Sequence, residues 1–226
     1  MASYDLEEQE QLEELKTWWK LHGTIVTAVI VALAVAVVGW QAWQWWQRSQ
    51  STGAAQLYAN VQQALTQQDV KRTRLLAGEL IDKYSGTSYA GMAAMLAGKA
   101  LLESGDLKSA EAQFGWAAEN AKDSNLRDLA RLRQSIVLAE EKSYDAALQL
   151  LAVPPAPSFM PRYLEVRGDI LATQGKAAEA RSAYDEAIKQ FEETRKAEGL
   201  PAGPYRDILQ AKRDAANATS STGGPL

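Results

Sequence analysis

Between Leu21 and Gln47 the chain carries no formally charged residue, and from Ile25 to Val38 it is Ile, Val, Leu and Ala broken only by Thr27. About 20 consecutive apolar residues are what a helix needs to cross the hydrocarbon core of a bilayer, so residues 21–47 are predicted to form a single transmembrane helix. Trp18 and Trp19 flank one end, and Trp40, Trp43, Trp45 and Trp46 flank the other. Indole rings prefer the headgroup level, which makes these six residues the candidate membrane-interface anchors. At 1.5 Å per residue, Trp19 and Trp40 lie about 31 Å apart along a helix, close to the thickness of a bilayer core. A cleaved signal peptide would begin with a basic segment and a shorter apolar run, whereas this chain begins with a long acidic tail, so an uncleaved anchor is expected.

The basic residues near the span set its expected orientation. Lys16 and Lys20 precede it, and Arg48 alone follows it before Lys71. The positive-inside rule then places residues 1–20 in the cytoplasm and the rest of the chain across the membrane, because acidic residues count little in that rule. Within the span, Ala28, Ala32 and Ala36 recur every fourth residue and form a candidate surface for close packing against another membrane helix, set against the plainer reading of an Ala/Val-rich anchor. In the tail, Leu12, Leu15, Trp18 and Trp19 have helical spacing, which suggests a short amphipathic lead-in, although such charge runs are more often a solvated face.

Charge and composition then remove whole classes of function. The tail holds six carboxylates (Asp5, Glu7, Glu8, Glu10, Glu13, Glu14) against two lysines, which accounts for the entire net charge of -4 and leaves 22 residues of each sign in the remainder. A neutral domain has no electrostatic footprint for a phosphate backbone, so no nucleic-acid partner is expected. There is no cysteine, and His22 is the single histidine. Thiolate chemistry, Cys- or His-rich metal sites and Ser-His-Asp triads are thereby excluded. The best remaining catalytic material is the adjacent pairs Glu140/Glu141 and Glu192/Glu193, but neighbouring helical side chains point about 100° apart and do not converge on one substrate. No enzyme activity and no cofactor are expected.

Past Gln50 the texture is all-α, rich in Ala, Leu, Gln, Glu, Lys and Arg, with no alternating strand pattern. Small residues pair across a constant gap of twelve: Gly98 with Ala110, Ser135 with Ala147, and Gly168 with Ala180. On that register Leu101, Leu138 and Leu171 coincide, Gly105 and Gly175 fall at the turn with Lys142 in the matching place, and Phe114, Leu151 and Tyr184 follow each second small residue by four. The copies are offset by 37 and 33 residues, bracketing the tetratricopeptide period of about 34. Two antiparallel helices approach closely where small residues face each other and a ring fills the gap beside them, and no single pair buries its own apolar face. The prediction is a tetratricopeptide-like (TPR-like) α-solenoid of about four helix pairs over residues 48–217, with the first pair (Leu57 to Tyr84) a degenerate cap lacking the small-residue pairing. A short closing helix around Tyr205 to Ala215 and a disordered tail over 218–226 complete it. The prolines at 154, 155 and 157 separate the second and third clear repeats. Trp116, Phe159 and Tyr163 are the candidate groove and partner contacts, because aromatic residues dominate binding hot spots, against the alternative that such rings pack between helices. The Asn217-Ala218-Thr219 sequon is too short a match to carry weight.

The acidic tail, the Lys16-x-Trp18-Trp19 motif, the His22-Gly23 step, the span, and the Gly39-Trp40-x-x-Trp43 exit together resemble the YfgM-type ancillary subunits of the bacterial Sec translocon. The resemblance runs through the repeats to about residue 190. It implies a single-pass inner-membrane protein with a cytoplasmic N-terminus and a periplasmic TPR-like domain. Its implied partners are the SecYEG translocon and a membrane-anchored periplasmic chaperone, and its implied role is helping to pass translocated polypeptides to periplasmic chaperones. The alternative from the residues alone is a TPR scaffold of another envelope machine, such as cell division or outer-membrane assembly. Neither reading specifies an oligomeric state or maps a binding motif onto particular residues.

Overall fold

The computed structural model describes residues 4–221 apart from 198 and 202, with side chains described from Gln11 to Ala216. Among these residues the chain is helical throughout, with no strand. The helices are α1 (Tyr4–Thr66), α2 (Val70–Tyr84), α3 (Ser88–Glu103), α4 (Leu107–Asn120), α5 (Ser124–Glu140), α6 (Tyr144–Leu151), α7 (Met160–Thr173), α8 (Ala177–Ala197) and α9 (Pro204–Ser221). Two compact units divide at Gln50, so α1 supplies all of the first and its last turns begin the second.

The first unit is one helix. It holds a stretch of mean hydropathy 2.4, the one segment among the described residues long and apolar enough to cross a membrane. Its aliphatic side chains other than the half-buried Val26 are exposed, as are all six flanking tryptophans and Ala28, Ala32 and Ala36. Local geometry explains two of the span's polar and small residues. The Thr27 hydroxyl donates to the Gly23 carbonyl at 2.7 Å, so its polar group is satisfied inside the helix. Gly23 lies beneath the Trp19 ring, where a Cβ would meet Nε1 at 3.1 Å.

The second unit is a stack of antiparallel helix pairs: the end of α1 with α2, α3 with α4, α5 with α6, and α7 with α8, closed by α9. One backbone device builds each pair. At Gln68, Gly105, Lys142 and Gly175 φ is positive, between 57° and 82°. The next residue's amide reaches back five positions, as in Asp106 N–H to the Leu101 carbonyl (2.9 Å) and Ser143 N–H to the Leu138 carbonyl (2.8 Å). This Schellman arrangement satisfies the last carbonyls of the first helix and reverses the chain. In the first two pairs the second helix then starts on a side-chain cap: Asp69 accepts from Arg72 N–H at 3.0 Å and Asp106 from Ser109 N–H at 3.1 Å.

The small-residue register does what its spacing predicts. Gly98, Ser135 and Gly168 are buried, as are Ala110, Ala147 and Ala180. A Cβ on Gly98 would come within 2.8 Å of the Phe114 ring, and one on Gly168 within 2.5 Å of the Tyr184 ring. The first pair lacks the small-residue pairing, yet it keeps the register of the others. Val61, Gln68 and Thr73 occupy the same register positions as Gly98, Gly105 and Ala110, with Val61 and Thr73 fully buried. Sizes are exchanged across this pair: Val61 supplies the bulk on the first helix, and Ala77 stands where Phe114 stands in the next pair. Its close approach lies lower down, where a Cβ on Gly53 would sit 2.5 Å from the Tyr84 hydroxyl.

No single core results. Small clusters succeed one another along the stack, for example Val61, Leu80 and Ala93, then Leu101, Phe114 and Val137, then Leu132, Leu151 and Tyr163, then Leu171, Tyr184 and Ala216. The closing helix is longer than the sequence suggests, and it continues to Ser221 into the segment expected to be disordered; residues 222–226 lie outside the described residues.

Candidate partner-binding site

Because α3, α5 and α7 are the first helices of successive pairs, α5 also meets α3 and α7 directly. Between α5 and α7, with the start of α6 beside them, lies a cleft of about 450 Å³. Ile136, Tyr144, Val166 and Ile170 form its apolar side; Glu140, Arg162 and Asp169 supply the charge around them. Val166 and Ile170 belong to the core cluster, so the floor is rigid, while Ile136 and Tyr144 are half-buried and face outward in part. Glu140 is exposed and closes the last turn of α5, which contains no basic residue.

The wall of the cleft is set by a buried polar network that sequence reasoning missed. Glu165, only 1% exposed, accepts hydrogen bonds from the Tyr205 hydroxyl (2.6 Å) and the Lys212 ammonium (2.7 Å), and pairs with Arg162. Lys212 also bridges to both oxygens of Asp169 at 2.8 and 2.7 Å, and the Tyr184 hydroxyl donates to Asp169 at 2.8 Å. A buried carboxylate persists only when its lone pairs are taken by donors. Burial pushes the Glu165 carboxyl up, but the bonds from Lys212, Tyr205 and Arg162 together outweigh it and hold the group below the usual carboxylate range. Burial lowers the Lys212 ammonium, yet Asp169 and Glu165 win and hold it above its ordinary value. Tyr184 and Tyr205 are both pushed up, first by burial and then by the carboxylates they donate to. Five of these six groups lie on α7 and α9 and the sixth, Tyr184, on α8, so the network fastens the closing helix to the last repeat.

A second polar lock fixes the entry to α7. Asp128, 9% exposed, accepts from the Ala156 amide (2.8 Å) and from Arg131 (3.0 Å), and its own carbonyl accepts from the Tyr163 hydroxyl at 2.7 Å. The proline segment 154–157 is thus tied back to α5.

Of the aromatic residues expected as partner contacts, Tyr163 is 2% exposed and belongs to the core, which removes it from any partner surface. It was legible only as an aromatic near the proline break; the buried Asp128 carbonyl that orients it lies 35 residues away. Phe159, in a short 3-10 turn at Pro157–Phe159, is half-buried against the same cluster. Trp116 is half-buried where two clusters of the first and second pairs meet. The structure brings Phe159 and Tyr163 together, but not Trp116, and none of the three lines the cleft. Among the described residues no group of three or more His, Cys, Asp or Glu is arranged to hold a metal ion.

A stack of helix pairs sharing one turn geometry and one small-residue register, closed by a terminal helix and preceded by a long apolar helix, defines a TPR-like helical-repeat protein. Residues 16–218 match the tetratricopeptide repeat-like domain family. A solved structure, MamA 41-end from Desulfovibrio magneticus RS-1, shares the fold with a TM-score of 0.50 at 20% identity, over 75% of this chain and 92% of that one. The relative named ancillary SecYEG translocon subunit from Neisseria gonorrhoeae is 30% identical over 95% of this chain and 99% of its own length. Proteins of the same name from Haemophilus influenzae and Escherichia coli are 29% and 24% identical, over 82% and 80% of this chain. The chain belongs to the ancillary SecYEG translocon subunit family, the YfgM family.

Proposed function

We propose that this chain is a non-catalytic ancillary subunit of the SecYEG translocon. Residues 21–47 anchor it in the bacterial inner membrane, with residues 1–20 cytoplasmic and the TPR-like domain from residue 48 periplasmic. There the domain binds partner proteins, a membrane-anchored periplasmic chaperone among them, and helps pass translocated polypeptides onward. The observation that carries the reading is the near full-length match to a relative named for that association. The Lys16 and Lys20 pair ahead of the span supports the orientation. A helical-repeat domain with clefts between its first helices and no cysteine supports a binding role over a catalytic one.

The test is purification of a C-terminally tagged full-length protein from its native membrane in mild detergent, with mass spectrometry of what accompanies it. SecYEG subunits together with a membrane-anchored chaperone are the expected result. Division or outer-membrane assembly components without the translocon would replace this reading with that of another envelope scaffold. Orientation is read separately, because the chain has no cysteine to interfere. In intact spheroplasts an impermeant maleimide is expected to label Lys122→Cys and to spare Gln9→Cys; the reverse pattern overturns the topology.

A further inference from the structure

Helix α5 ends with a charge arrangement that its own chain does not balance. Glu140 is the last residue of the helix and Glu141 its cap, where the unpaired carbonyls already carry the negative end of the helix dipole. The last turn holds no basic residue, and neither carboxylate makes an ion pair among the described residues. Glu140 nevertheless stands at the rim of the α5–α7 cleft, beside Ile136 and Tyr144. The other two charged rim groups are already neutralised: Arg162 by Glu165, and Asp169 by Lys212. The cleft therefore presents an apolar floor with one uncompensated negative charge at its edge.

We infer that this cleft binds a short unfolded segment of a translocated polypeptide that presents an aliphatic or aromatic side chain with a lysine or arginine close to it. The apolar side chain enters over Ile136, Tyr144, Val166 and Ile170, and the cation sits over Glu140 at the C-terminal end of α5. Charge complementarity selects the cation, which interacts favourably with both the carboxylate and the helix terminus. Size selects an unfolded segment over a folded partner. A cleft of about 450 Å³ holds a few side chains, whereas a stable protein–protein interface engages about 20–30 residues on each side. Such a site is suited to weak, sequence-tolerant and quickly reversible contact, as a hand-over step requires. This inference rests on the client-handling part of the proposed function.

The experiment uses the full chain in nanodiscs, with empty nanodiscs as the baseline, and fluorescence anisotropy of three labelled peptides. One carries a central Leu-Phe pair flanked by lysine, one the same pair flanked by glutamate, and one a Ser-Ser pair flanked by lysine. The lysine-flanked apolar peptide is expected to bind about 5- to 10-fold more tightly than the glutamate-flanked one, a difference of about 1–1.4 kcal/mol, and the Ser-Ser peptide to bind at baseline. The preference is expected to shrink at high salt. Glu140→Lys, an exposed change that places a cation at the negative end of the helix dipole and is expected not to lower the thermal midpoint, reverses the charge preference; Ile136→Asp removes binding of both apolar peptides. Equal affinity for the two charged apolar peptides, or a preference unaffected by Glu140→Lys, overturns the inference. Copurification of SecYEG with Glu140→Lys reports the proposed function independently: its presence alongside unchanged peptide preference sinks the cleft alone, and its absence from the unsubstituted protein sinks the translocon reading alone.

Discussion

At the scale of single residues, two positions isolate the steric logic of the repeat. Gly168 has no room for a side chain, since its Cβ would fall 2.5 Å from a Tyr184 ring held in place by Asp169. Gly168→Ala is therefore expected to cost about 2 kcal/mol through overpacking, read as a lowered urea midpoint with an unchanged slope. Lys142 is the opposite case, a lysine at φ 62° where Gly105 and Gly175 serve in neighbouring repeats. Lys142→Gly is expected to raise stability by about 0.5–1 kcal/mol by relieving left-handed strain, and a fall in the midpoint would refute that account. Glu165 sets the pH response. Its carboxyl is held lower in the folded state than in the unfolded chain, so its contribution is full above the unfolded value near 4.5 and is lost as pH falls through the folded one. Lys212, Tyr184 and Tyr205 are all raised, so their contributions hold below the unfolded values near 10 to 10.5 and are lost as pH rises beyond them. Denaturation across pH is expected to show both limbs, with Glu165→Gln flattening the acid one and costing about 2 kcal/mol at neutral pH.

At the scale of elements, α9 is legible in the sequence as a closing helix, but the contacts that fasten it are not. It buries Leu209 completely against Ala187 and Ile188 and brings Tyr205 and Lys212 to Glu165. A solenoid's last repeat has an apolar face with no successor, and a terminal helix with one polar side is the physical remedy. Leu209→Ala is expected to cost about 2–4 kcal/mol and to expose α9 to proteolysis before the earlier helices. Cleavage first within α2 or α3 would show that α9 is not the weak end. The turns were the most readable elements. Gly105 and Gly175 announce a positive φ directly, and Asp69 and Asp106 are strong cap residues. The first pair lacks the small-residue pattern because its bulk lies on Val61 of the first helix, with Ala77 where the next pair has Phe114.

At the scale of the whole molecule, two units meet different physical demands. The repeat unit packs in short-range steps, which predicts fast local folding and a stability spread along the stack. The first unit leaves its aliphatic side chains other than Val26 exposed along the apolar stretch, which suits lipid as its solvent. Val35→Arg, at the middle of that stretch, is expected to cost about 2.5–3.5 kcal/mol of insertion and to shift the protein toward the carbonate-extractable fraction. Retention in the membrane pellet at the unsubstituted level would show that the stretch does not span.

The amino-acid sequence alone determined that one apolar helix precedes the repeats, though not that it runs from Tyr4 to Thr66, and the twelve-residue pairing of Gly98, Ser135 and Gly168 with their alanines. Each of these depends on neighbours within a few turns of one another, where helical geometry converts spacing into contact. Only the tertiary structure decided that Tyr163 is core, that Glu165 fastens α9 to the last repeat, and that Glu140 edges an apolar cleft. Glu165 meets Tyr205 across 40 residues and Lys212 across 47. Contacts at such separations follow from how the helix pairs stack, and stacking depends on the summed shapes of many side chains, which no local spacing records.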